Sequence, residues 1–244
     1  MRELIIFCCL LFAGLNAQAF KIYGKAVEVG EGAARVFVDV DKYGKLNTMG
    51  VVLSEKALQG LPTHMPMTNY VLNLPSVLNI PPYTHVVLNW NPHGHEPDPV
   101  YGLPHFDVHF YFISREIQEA ITCAGADHEV CMKAPESGEI PPFYVSTPEG
   151  VPTMGWHWLD PRSPEFHGKT FTATYIYGFY NGDMHFLEPM ITRDFLLSKK
   201  KFEKEVPVPA VVAKKGYYPR AYGTDFDSSK KVHFVILKNF IKKN

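Results

Sequence analysis

The segment Thr170–Tyr180 runs into Asn181-Gly182 and then into Met184–Glu188. An Asn-Gly pair tolerates the positive φ that both central positions of a two-residue hairpin turn require. This stretch is therefore an antiparallel hairpin, and it constrains the chain more than any other local feature. Period-two alternation of apolar and polar residues recurs elsewhere. Phe20–Val29, Ala34–Val40 and Leu46–Leu53 read as successive strands, with Gly30-Glu31-Gly32 and Tyr43-Gly44-Lys45 as the turns between them. Asn69–Leu74, His85–Trp90, His105–Ile113, Phe143–Ser146, Met154–Leu159 and Val232–Ile241 are further strands. The loop Asn91–Pro104 is too broken by proline and glycine for regular structure. Helical signals are short: Ser54 before a helix through Leu58, Ser114 before Arg115–Thr122, and Thr192 before a helix through Lys201. An aromatic content of 14% and 20 prolines also favour strands over a helical bundle. The expected fold is mainly β, an antiparallel barrel or sandwich with two or three short helices, forming one domain over residues 20–244.

Residues 1–19 read as a secretory signal peptide. Arg2 precedes the uncharged stretch Leu4–Leu15, and Ala17-Gln18-Ala19 supplies the small-x-small pattern that predicts cleavage before Phe20. The apolar stretch is shorter than the ~20 residues of a membrane helix, and no later segment is apolar enough to span a bilayer. The expectation is a periplasmic or secreted protein with no membrane anchor after cleavage. A net charge of −1 gives no case for nucleic acid as a partner. Cys123 and Cys131 remain after cleavage, and in an oxidising compartment they are expected to form a disulfide.

The chemistry-bearing residues cluster. On a strand, His105, Asp107, His109 and Tyr111 share one face, and Phe106, Val108 and Phe110 share the other. One face is core; the other presents two imidazoles and a carboxylate. His105 and His109 lie roughly 13 Å apart along a straight strand. Two imidazoles on one ion need nitrogens within about 4 Å. Either side chains lean inward and the strand twists or bulges beside Pro104, or only one of the two histidines ligates. His93-Gly94-His95-Glu96 adds an H-x-H pair that can meet one ion. In Trp156-His157-Trp158 the two indoles point one way and His157 the other. The expected metal ligands are His93, His95, His105, His109 and His157, with Glu96 or Glu188 as catalytic base. Neutral imidazole and carboxylate suit a divalent transition metal, zinc foremost, with iron, manganese and copper also served. No Gly-rich phosphate loop and no G-x-S-x-G elbow occurs.

Three motifs carry a family resemblance: GHEPDPVYGLPHFDVHFY (Gly94–Tyr111), MGWHW (Met154–Trp158) and EPMIT (Glu188–Thr192). With them, in this order over most of residues 20–244, the chain resembles an uncharacterised bacterial family of exported β-rich proteins. The resemblance implies a mainly antiparallel β fold and ring-like or other self-assembly, and it implies no activity. The leading expectation is an exported metal-binding β-barrel protein, with catalysis by metal-activated water left open. The alternative is a non-catalytic binding module or a self-assembling structural protein of the cell envelope without metal, whose aromatic residues supply a homo-oligomer interface. A third is a barrel that holds a small apolar ligand.

Overall fold

The structure, a computed structural model, describes residues 20–244, so the signal peptide read in residues 1–19 lies outside the described residues. The N-terminal strands are β1 (Phe20–Tyr23), β2 (Val27–Val29), β3 (Gly32–Val40) and β4 (Leu46–Ser54). The middle of the chain supplies β5 (Thr68–Asn73), β6 (His85–Asn91), β7 (His105–Tyr111), β8 (Val145–Val151), β9 (Gly155–Leu159), β10 (Ala173–Tyr180) and β11 (Asp183–Thr192). The C-terminal part adds β12 (Phe202–Glu205), β13 (Gly216–Tyr218), β14 (Ala221–Asp227), β15 (Val232–Lys238) and β16 (Ile241–Lys243). Three short helices, α1 (Arg115–Ala120), α2 (His128–Cys131) and α3 (Arg193–Leu197), complete the elements used below.

Two seven-stranded antiparallel sheets result. The first has the order β1-β3-β4-β15-β14-β12 with β2 also on β3; the second is β5-β6-β7-β11-β10-β9-β8. Both sheets are open, ending on distinct edge strands, so the fold is a sandwich and not a barrel. The shared core lies between them. Val36, Val38, Met49, Val51, Val235 and Leu237 of the first sheet meet Val86, Leu88, Phe106, Val108, Phe110, Leu187 and Tyr177 of the second. Burial of this kind stabilises by roughly 25 cal/mol per Å² of apolar surface.

The boundaries depart from the sequence reading where local backbone geometry intervenes. The helix after Thr192 is capped as expected, its hydroxyl accepting from the Phe195 amide, but it stops at Leu197 because Lys199 takes positive φ. Phe143 also takes positive φ, so β8 starts at Val145. The hairpin turn has Asn181 at φ 55° and Gly182 at φ 84°, as the turn requires. Strands β12, β13, β14 and β16 carry no alternation that the sequence reading picked out.

The outer face of the second sheet positions the site. Strands β6 and β7 are buried along their whole length, so both of their faces are covered. At one end the cover is an apolar cluster of Val87, Tyr111, Ile121, Met154 and Phe186. It includes the Cys123–Cys131 disulfide, which ties α2 to the segment after α1. At the other end Tyr101, Phe171, Ile176 and Met190 form a second cluster. A cavity of about 790 Å³ opens between the two clusters.

Candidate metal centre

Strand β7 lays His105, Asp107 and His109 on the outer face, opposite the core residues Phe106, Val108 and Phe110. The distance objection is resolved by division of labour, because the two histidines of β7 serve different groups. His105 joins His95 and Asp107; His109 joins His157 and Glu188. Within each group the donor atoms all lie within 4.8 Å of one another.

Each partner arrives by a local device. The loop after β6 returns His95 to the sheet at Gly94, which has φ 71° and whose Cβ, were there one, would stand 2.1 Å from the Tyr101 carbonyl oxygen. His157 sits on β9 with the indoles of Trp156 and Trp158 on the opposite side. Glu188 lies on β11, where the pairing of Leu187 with Phe110 and of Met190 with Asp107 sets it beside His109. Phe186 packs under both histidines of that group, with ring centroids 4.7 Å from His109 and 5.2 Å from His157.

In the first group His105 Nε2 is 3.0 Å from Asp107 Oδ1, and His95 Nε2 is 3.6 Å from Asp107 Oδ2. In the second, His109 Nε2 is 3.4 Å from Glu188 Oε1, and His157 Nε2 is 3.7 Å from Glu188 Oε2. Each carboxylate thus stands between two imidazoles, one at each oxygen.

The far side of three of the rings fixes their tautomer. His95 Nδ1 donates to the Glu96 carbonyl at 2.6 Å, His105 Nδ1 to the Leu103 carbonyl at 2.6 Å, and His109 Nδ1 to the side-chain oxygen of Asn89 at 2.8 Å. An oxygen acceptor demands the proton on Nδ1, which leaves Nε2 of a neutral ring with a bare lone pair. Asn89 is oriented in turn by donating to Asn69 Oδ1 at 2.7 Å, and Asn91 donates to Asp107 Oδ2 at 2.7 Å. This is how metal-binding histidines and carboxylates are ordinarily held from behind. The inward atoms His105 Nε2, Asp107 Oδ1, His109 Nε2 and Glu188 Oε2 are buried and have no hydrogen-bond partner, so they fit a cation between them.

The electrostatics differ between the two groups, with neutral rings in the second and an ion pair favoured between His95 and Asp107 in the first. Burial pushes His109 down to about 3, against the pull of Asp107, and pushes His157 down to about 4, so both rings are neutral at pH 7. Burial, and then the charge of Asp107, push Glu188 well above the usual carboxylate range. Burial also works to raise Asp107, but His105 and His95 outweigh it and hold its carboxyl below that range. For His95, burial acts downward, yet Asp107 and the Glu96 carbonyl prevail and raise it.

Of the residues expected from sequence, the structure brings together His95, His105, His109, His157 and Glu188. His93 joins neither group; it is exposed, with its Nε2 2.8 Å from the Thr63 carbonyl. Glu96 lines the cavity, but its carboxylate accepts from the Asp98 amide at 2.7 Å. Asn89 and Asn91 were missed as functional residues, and Asp107 was noted on the face without being assigned as a ligand. The alternation of Asn89 and Asn91 with His85 on β6 was legible, but what they support shows only in the register, which sets them opposite Asp107 and His105. His85 and His185 are buried nearby but find protein partners, Gln118 Oε1 at 2.9 Å and the Met154 carbonyl at 2.6 Å.

The comparisons bear on family alone. Residues 41–90, a minority of the chain, match a family described as TTHB210-like, hypothetical protein TTHB210. They span β4, β5 and nearly all of β6, and none of the three motifs behind the resemblance falls among them. No curated protein and no solved structure matches the chain. The chain is thus similar, over its β4–β6 segment, to an uncharacterised family, and it carries His/Asp/Glu groups suited to a metal ion.

Proposed function

We propose that the protein is a metal-binding enzyme that uses a divalent transition metal, zinc foremost, to activate water against a small molecule. The observation that carries this reading is the tautomer lock. Two imidazoles, those of His105 and His109, each spend Nδ1–H on an oxygen and turn a buried, unpartnered Nε2 toward a carboxylate. Two histidines and one carboxylate are a ligand set of catalytic zinc, which keeps a further position open. A zinc ion so held supplies Lewis acidity, polarising a carbonyl and acidifying water.

The chain's own residues supply the rest. Pro66, Met67, Val151, Met154, Leu159 and Ile176 give the cleft apolar walls, and among the described residues no lysine or arginine lines it. Such walls favour a substrate with an uncharged apolar body, such as an ester or amide, and exclude water around it. With Glu188 and Asp107 occupied as ligands, Glu96 and Glu149 are the carboxylates left in the lining, and Glu96, beside His95, is the candidate base.

Elemental analysis of the purified protein, isolated without chelator, is the direct test. At least one transition-metal ion per chain is expected, with the metal content lowered in His105→Ala and in His109→Ala and chelator-sensitive hydrolysis of apolar esters lowered with it. Metal-free protein from metal-replete cells would sink the reading.

A further inference from the structure

The duplicated arrangement of donors has a consequence for how many ions the cleft takes. We infer that the two groups form one dinuclear centre, a pair of divalent transition-metal ions side by side at the cleft floor, one on His95, His105 and Asp107, the other on His109, His157 and Glu188. This rests on the metal reading above and adds the number of ions and their proximity.

The six donors cannot serve one ion. His105 and His109 are four residues apart on a strand, roughly 13 Å at ~3.3 Å per residue, and each turns its Nε2 to a different carboxylate. The donor pattern also repeats. Each group is two imidazoles flanking one carboxylate, with one ring at each oxygen, at 3.0 and 3.6 Å in the first and at 3.4 and 3.7 Å in the second. His105 and His109 each leave a buried Nε2 without a hydrogen-bond partner yet 3.0 and 3.4 Å from a carboxylate oxygen in separate groups, whereas the unpartnered ring nitrogens of His185 and His233 belong to no such group among the described residues.

Proximity follows from the register. Asp107 and His109 are consecutive outward positions of β7, about 6.6 Å apart along the strand. Glu188 stands across from His109, so the second group begins one strand repeat from the first. Both open on the same cavity, since His95, Asp107, His157 and Glu188 all line it. Three protein ligands per ion leave positions directed into that shared space. Charge points the same way. Asp107 and Glu188 are both buried, and among the described residues no lysine or arginine lines the cavity beside them.

The test strips the full protein with chelator and retitrates it with Mn²⁺, following stoichiometry by calorimetry and spin coupling by electron paramagnetic resonance. Two ions per chain are expected, with the signal of the first equivalent broadened and attenuated as the second binds. His95→Ala and His157→Ala should each keep a single ion with an uncoupled spectrum. Circular dichroism confirms that each variant is folded, and His95, on an exposed loop, is the safer of the two. One ion per wild-type chain at saturation, or two ions with simply additive spectra, overturns the dinuclear centre while leaving a metal protein. No binding at all overturns both readings.

Discussion

Asn89 makes no approach to the cleft, yet it decides which nitrogen of His109 is free. Its side-chain oxygen accepts the Nδ1 proton, and its amide is spent on Asn69. Leucine at this position would leave the Nδ1–H of His109 without an acceptor and release the ring from its orientation. Removing such a supporting group typically costs 10–100-fold in metal affinity. Asn89→Leu is therefore expected to weaken binding at the His109 group by about that factor with little change at the His95 group. Metal titration would show it, and an unchanged affinity would remove Asn89 from the centre. At this scale the sequence was informative about which histidines gather and uninformative about what supports them. A histidine on an alternating strand announces its face. An asparagine announces nothing until strand pairing shows what stands diagonally across from it.

At the scale of elements, β7 and its neighbours were the most legible part of the chain. The Phe106-Val108-Phe110 row marks the core face unambiguously, and the opposite row follows from period two. What could not be read was that the two histidines of the strand would part company, because that depends on which strands flank it. Here β11 brings Glu188, and the loop after β6 brings His95. Packing between β10 and β11 is a second hidden determinant. Gly178 pairs with Phe186 on one side and His157 on the other, and a Cβ at Gly178 would lie 2.0 Å from the Phe186 ring. That ring is fully buried against His109, His157, Tyr111 and His185 and has nowhere to move. Overpacking of this kind costs about 1–3 kcal/mol. Gly178→Ala should lower stability by that amount in chemical denaturation and reduce metal retention with it. A variant as stable and as metal-rich as the wild type would show that the close approach is dispensable.

For the molecule as a whole, acid is expected to act through buried histidines. Burial depresses His185 to about 3, only partly offset by its bond to the Met154 carbonyl. Because the folded-state value lies below the ~6.5 of an unfolded chain, this contribution is complete above pH 6.5. It is lost as the pH falls toward about 3, with a limiting slope of about 1.4 kcal/mol per pH unit. Glu188, raised in the fold, works with the opposite sign at higher pH, so the wild type must be compared with His185→Gln. In metal-free protein the stability difference between the two should shrink steadily below pH 6.5, as read from urea midpoints. A difference that stays constant down to pH 4 would rule this account out.

The groups that would do chemistry stand on the side of the second sheet that faces away from the other sheet. The second sheet's share of the interior common to both sheets comes from the reverse side of the same strands. Body and equipment are thus written on alternate letters of one sentence. Exchanging His105 or His109 for another residue touches none of the apolar letters between them, so a chain of this architecture can lose, swap or gain a reactive set while its body stays assembled.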